Sequence, residues 1–277
     1  MLQAAPPMIR FTRNAADGVS PLITAAAAGD TDFWWQGPGG TFVGKQPDIA
    51  NFPVGDFTLR SSRWDAITAI NFSTRKLTKF DMSRALRHMV ALYSVAMNNN
   101  NLTNDVAQIL PYLPAGLHDV ALYNAAHVGD VSKWILPASL VSYNVFSMAG
   151  IYGDISGWVL PPLLSVLWTH ATGVTGDISG WVLPAPFAQT YLSWAGLSYG
   201  TGGMFATATR NSSTYHVENN SMLLAEVDRI LADCVASGTT GSTLIADGTN
   251  ASPTDGVNNA NRLELVNNRG WTVTVTA

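Results

Sequence analysis

The nonapeptide GDISGWVLP occurs twice in this chain, at 153–161 and 176–184, and a looser copy, GDVSKWILP, occupies 129–137. The Asp of each copy (Asp130, Asp154, Asp177) follows the last at intervals of 24 and then 23 residues. A fixed period of this length is the signature of a solenoid. One supersecondary unit is stacked on copies of itself, because a single unit cannot bury its own apolar face. Asp105 extends the frame backwards by a further 25 residues, and Asp81 is a loose first copy.

The clearest single copy is VAMNNNNLTND, residues 95–105. Val95 and Met97 alternate, so both face one side of a short strand. Asn100 falls where the chain must turn, and its amide can hydrogen-bond the backbone of its own and adjacent turns. Leu102 then re-enters the core. Counting back from each Asp gives further inward pairs: Val120/Leu122, Asn144/Phe146, Leu167/Thr169 and Thr190/Leu192. Asn144, Thr169 and Thr190 suit a core poorly. Either those strands slip by one residue or these side chains bond to neighbouring turns.

The L-x-L-x-x-N-x-L spacing of 95–102 resembles the leucine-rich repeat, and the GDIS continuation is similar to the LTGxIP form of that family. The C-terminal run RGWTV after a helix is similar to the ends of bacterial and phage leucine-rich-repeat proteins. The likeness covers roughly residues 65 to 277. It implies an α/β fold: a right-handed solenoid with a parallel β-sheet on one face, short turns or helices on the other, and a cap at each end. It also implies a bacterial or phage setting. No cofactor is expected.

Three regions follow. Residues 1–62 alternate short β-type runs (8–11, 22–25, 33–36, 41–43, 57–60) with turn chemistry such as Asp17-Gly18 and Gly37-Pro38-Gly39-Gly40, as expected of a β cap or an attachment module. Trp34 and Trp35 there would either cover the end of the solenoid or dock to a neighbouring subunit. Residues 63–220 carry the repeats. Residues 221–277 read as helix, strand, helix, strand: Leu223 to Val235 has helical spacing, 243–246 is a strand, Asn250 opens a second helix, and 271–276 alternates strictly.

Two columns recur in the repeats. Trp134, Trp158 and Trp181 are expected to pack ring on ring behind the sheet. The Pro three residues on (Pro137, Pro161, Pro184) closes each segment. Asp105, Asp130, Asp154 and Asp177 would stack about 4.8 Å apart. They read either as caps of short turns or as a column of cation ligands, and the dense oxygen spacing of a calcium loop is missing. No metal site is expected.

Charged residues make up 12% of the chain and the formal net charge is −4. This argues against nucleic acid as a partner, which requires clustered Lys and Arg. No run approaches the ~18 apolar residues of a membrane span, and the first residues lack a secretory pattern. The single cysteine, Cys234, excludes an internal disulfide and reads as a core thiol. The five His residues show no metal-protease spacing, and no nucleophile or phosphate-loop motif is present, so no enzymatic activity is expected.

The outward strand positions carry the functional expectation. Tyr123, Tyr143, Val145, Trp168, His170, Tyr191, Ser193, His216 and Glu218 are assigned to that face. Aromatic rings beside small polar groups are the composition of a recognition surface, although aromatics are also common on sheets generally. The first expectation is a non-catalytic binding module for a protein or glycan on a cell surface. The second is a structural subunit of a virion or surface assembly, contacting its neighbours through Trp34 and Trp35. A virion or cell surface is the expected location.

Overall fold

The computed structural model describes residues 6–14, 21–46, 54–106 and 109–277, so Asp17-Gly18 lies outside the described residues. Contacts divide the chain into two compact units, Met1–Gly129 and Asp130–Ala277.

In the first unit, β1 (Ile9–Arg13), β2 (Leu22–Ala25), β3 (Phe33–Gly37), β4 (Gly40–Val43) and β5 (Gly55–Ser61) coincide with the five expected runs. β6 (Ile67–Asn71), β7 (Leu77–Asp81), helix α1 (Ser83–Leu86), β8 (Ser94–Ala96) and β9 (Asp119–Ala121) follow. One sheet has the order β4-β3-β5-β1-β7, with every pairing antiparallel. Its alternating strands bury Phe11, Trp35 and Phe57 on one face, and Phe11 stacks on Phe57 at 5.3 Å between ring centroids. β2 pairs antiparallel with β6. From β6 the chain winds in parallel, with Ile70, Val95 and Val120 in register across β6, β8 and β9. Val95, Met97, Val120 and Leu122 are all buried, as their alternation required.

The second unit is a β-solenoid of about six turns with parallel strands and few helices. β10 (Val128–Asp130) leads into it, followed by β11 (Ser142–Asn144), β12 (Met148–Asp154), β13 (Val166–Trp168), β14 (Thr172–Asp177), β15 (Gln189–Tyr191), β16 (Gly196–Ser198) and β17 (Thr214–His216). Helix α2 (Leu224–Ala236), β18 (Thr243–Ala246), α3 (Ala260–Arg269) and β19 (Thr272–Val275) complete it. The main ladder is β11-β13-β15-β17-β18-β19. Its inward row is Tyr143, Leu167, Thr190, Tyr215, Leu244 and Val273, in strict parallel register. A second ladder joins β12, β14 and β16.

Each turn leaves the main sheet through a residue in the left-handed region: Ser147 (φ 54°), Ala171 (53°), Trp194 (49°) and Asn219 (59°). That conformation is unfavourable for residues with a Cβ, so its recurrence at one place per turn shows a corner imposed by the stacking. Behind the sheet, each of the three copies folds as two successive tight turns. Trp134 donates its N–H to Val131 O (3.1 Å), Trp158 to Ile155 O (3.0 Å) and Trp181 to Ile178 O (3.1 Å). Then Leu140, Leu164 and Phe187 donate to the carbonyls of Pro137, Pro161 and Pro184 at 2.9–3.0 Å. These prolines therefore open a turn as well as closing the preceding segment.

Trp134, Trp158 and Trp181 are buried and form the expected ladder, with centroids 6.1 Å apart edge to face and then 6.4 Å apart stacked. Between them and the proline, Ile135, Val159 and Val182 point outward, Ile135 at 87% exposure. Helices on this side are confined to the last turns, where α2 buries Val227, Ile230, Leu231 and Cys234. The preceding crossings, from Asp130 to Ser213, are built of turns and one short 3-10 stretch, Met204–Thr207. The α3 helix starts at Ala260, ten residues later than the Asn250 start expected from sequence; Asn259 caps it, accepting the N–H groups of Asn261 and Arg262.

Candidate functional site

The outward face of the main ladder in the second unit carries two adjacent rows. Asn144, Trp168, Tyr191 and His216 occupy equivalent positions on β11, β13, β15 and β17. Two residues further along each strand direction stand Phe146, His170, Ser193 and Glu218. The backbone ladder continues there, with Ser147 N–H on His170 O (3.0 Å), Ala171 N–H on Ser193 O (3.0 Å) and Trp194 N–H on Glu218 O (3.2 Å).

The rings form one continuous layer. Phe146 stacks on His170 (4.4 Å, 16°) and meets Trp168 edge-on (5.6 Å). Trp168 meets Tyr191 edge-on at 5.0 Å, and Tyr191 stacks on His216 (4.0 Å, 13°). Nδ1 of His216 lies 3.3 Å from Glu218 Oε1. Trp168, His170, Tyr191 and His216 are each half-buried: the rings cover one another in part while the rest of each surface stays in solvent. Burial holds the His170 imidazolium pKa below its usual value; the Glu218 carboxylate opposes that shift and His216 adds to it.

Four polar atoms on this face are shielded from water yet have no hydrogen-bond partner among the described residues: Asn144 Oδ1, Trp168 Nε1, His170 Nδ1 and Glu218 Oε2. Glu218 is only 9% exposed. Unpaired shielded groups of this kind are costly, and here they cluster beside the aromatic layer.

The structure corrects part of the sequence assignment. Tyr143 (1% exposed) and Val145 (2%) point into the core, and Tyr143 packs against Trp134 and Trp158 at 4.9 and 5.8 Å. Asn144 and Phe146, expected inside, take the outward places. The interval back from Asp154 to Tyr143 is one residue longer than that from Asp177 to Leu167, and the pairing of β12 with β14 shifts register in that stretch. Counting forward 13 residues from Asp130, Asp154 and Asp177 reaches the inward residues Tyr143, Leu167 and Thr190. The slip is thus confined to β11, whereas Thr169 and Thr190 do face the core, with hydroxyls that find no partner there. Ser193 sits in the outward row but is buried between larger neighbours. Tyr123 belongs to the first unit, where it is half-buried, and its carbonyl accepts the Asn99 N–H at 3.0 Å.

The pair Trp34-Trp35 divides. Trp35 is fully buried and donates its indole N–H to Gly44 O at 2.7 Å. Trp34 is 38% exposed and lines a cleft of about 490 Å³ with Pro6, Pro7, Gln36, Thr41 and Arg60.

The Asp column is a row of turn caps. Oδ1 of Asp130, Asp154 and Asp177 accepts the N–H of Ser132, Ser156 and Ser179 at 2.8–2.9 Å, and Asp177 also accepts Gly200 N–H at 2.8 Å. These bonds lower the carboxyl pKa of Asp130 and Asp154. Asp105 sits in the first unit, in a bridge to Val128. No cluster of three or more potential metal ligands occurs among the described residues.

Asn100 bonds two turns as expected: its amide donates to Phe72 O (2.8 Å) and Met97 O (2.9 Å) and accepts from Arg75 and Leu77 N–H (3.0 and 3.1 Å). Asn220 and Asn250 make the same four-way clamp. Both were missed in the sequence, although Val217-x-x-Asn220 repeats the spacing of Met97-x-x-Asn100. Compared with known proteins, the chain matches no family model and shows no significant similarity to a curated sequence, so the functional reading rests on the geometry of this face.

Proposed function

We propose that the chain is a non-catalytic recognition module of leucine-rich-repeat type, whose ligand binds across the outward sheet face of the second unit. The observation that carries this reading is the layer formed by Phe146, Trp168, His170, Tyr191 and His216 on successive turns. Such rings offer large contact area at low entropic cost. They lie on a rigid ladder, which holds them in place before binding. The Asn clamps support the kinship with leucine-rich repeats. The test is the double variant Trp168→Ala/Tyr191→Ala, applied with the parent chain to protein and glycan arrays. Loss of the parent's signal with an unchanged melting temperature is expected; an undiminished signal refutes the reading.

A second reading, a subunit of a larger assembly, is favoured by the outward apolar positions Ile135, Val159 and Val182 and by exposed Trp34. Light scattering distinguishes it: a closed oligomer that dissociates on Val159→Asp or Trp34→Ala supports assembly, and a monomer argues against it.

A further inference from the structure

Resting on the recognition reading, we infer that the ligand of this face is a neutral oligosaccharide. The argument starts from the unsatisfied groups. Trp168 Nε1 is a donor, Asn144 Oδ1 and Glu218 Oε2 are acceptors, and His170 Nδ1 is either, according to tautomer. A ligand that completes them must donate and accept within a small area. Hydroxyl groups do both, and a sugar ring carries several around one apolar face. That apolar face suits the half-exposed rings of Trp168 and Tyr191, which supply the complementary flat surface.

Charge narrows the class. The segments that build the face, residues 142–146, 166–170, 189–193 and 214–218, contain no Lys or Arg. The carboxylate in it, Glu218, is 9% exposed and keeps one oxygen unpaired while the other faces His216 Nδ1 at 3.3 Å. Burial lowers the His170 pKa and so disfavours its cationic form. A sialylated or sulfated chain would bring its anion to a face without Lys or Arg and against the Glu218 carboxylate, and like charges in such a place repel. The four strands from β11 to β17 span about 14 Å at the usual inter-strand spacing. That length suits several linked sugars better than one.

The test uses the full chain on arrays of neutral, sialylated and sulfated oligosaccharides, followed by calorimetry with the best-retained neutral compound. Retention of neutral oligosaccharides is expected. Glu218→Ala should weaken binding tenfold or more. Trp168→Phe keeps a ring but removes the indole N–H, and should weaken it severalfold without altering the melting curve. Blank arrays, retention of anionic glycans alone, or affinities that neither substitution moves would overturn the inference. If the arrays stay blank while a deglycosylated protein is held through Trp168 and Tyr191, the sugar assignment falls and the recognition reading stands. If neither class of ligand depends on those two residues, both fall.

Discussion

The Gly-Asp dipeptide that opens each repeat has a physical reason visible only between turns. A Cβ on Gly153 would lie 2.3 Å from Asp130 Oδ1 and 2.9 Å from Ser132 N, and the glycine has φ +128°. Each turn's Asp caps its own Asp-x-Ser turn while filling the space above the next turn's glycine. The residue pair is thus a lock between neighbours. Gly153→Ala should cost about 2–4 kcal/mol, combining backbone strain of about 1–3 kcal/mol with the overlap, as read by urea denaturation. Measured against Asp130→Ala alone, Gly153→Ala should cost less by the overlap with Oδ1 only, because the contact with Ser132 N and the backbone strain remain. A cost that vanishes in that background would mean that neither of these carries a penalty.

Among the elements, the corners of the solenoid are held in two ways. Asn100, Asn220 and Asn250 clamp their turns with side-chain amides. Where Met148, Thr172 and Ala195 take the corresponding place, no such amide is present, and the buried Trp ladder fills the interior behind those turns. Thr172 bonds only locally, to Thr169 O at 2.6 Å. Asn220→Ala would strip the carbonyls of Leu192 and Val217 and the N–H groups of Ala195 and Leu197 of a shared partner in the interior. A loss of about 2–4 kcal/mol is expected, measured by chemical denaturation. Asn220→Asp should be nearly as harmful, because a carboxylate cannot donate to the two carbonyls. The N-terminal strands were legible because alternation and turn residues are local signals. The identity of the outward residues at β11 was not. It depends on one extra residue in β12, and a period counted from the wrong side of that residue reverses the parity of the strand.

At the scale of the whole molecule, the repeat period revealed stacking without specifying what crosses the back. The turns there are short because the Asp cap and the proline each close one within a few residues, and only the last copies have chain enough for α2 and α3. Contacts divide the molecule into two compact units, and its expected acid sensitivity belongs to the first. The first unit contains His127, 1% exposed, with no hydrogen-bond partner of ordinary length on either ring nitrogen. Burial lowers its pKa to about 4, and the Asn104 backbone gives only weak support to the charged form. The unfolded chain, with the ordinary His value near 6.5, takes up the proton first as pH falls. The stability this neutral ring confers is therefore complete above about pH 6.5 and is lost as the pH drops towards 4, by up to about 3 kcal/mol. Urea titrations at pH 7.5 and 4.5 should show the first unit weakening over that window. His127→Gln starts less stable but should lack that component of the decline; a slope unchanged by the substitution would assign the acid sensitivity to other groups.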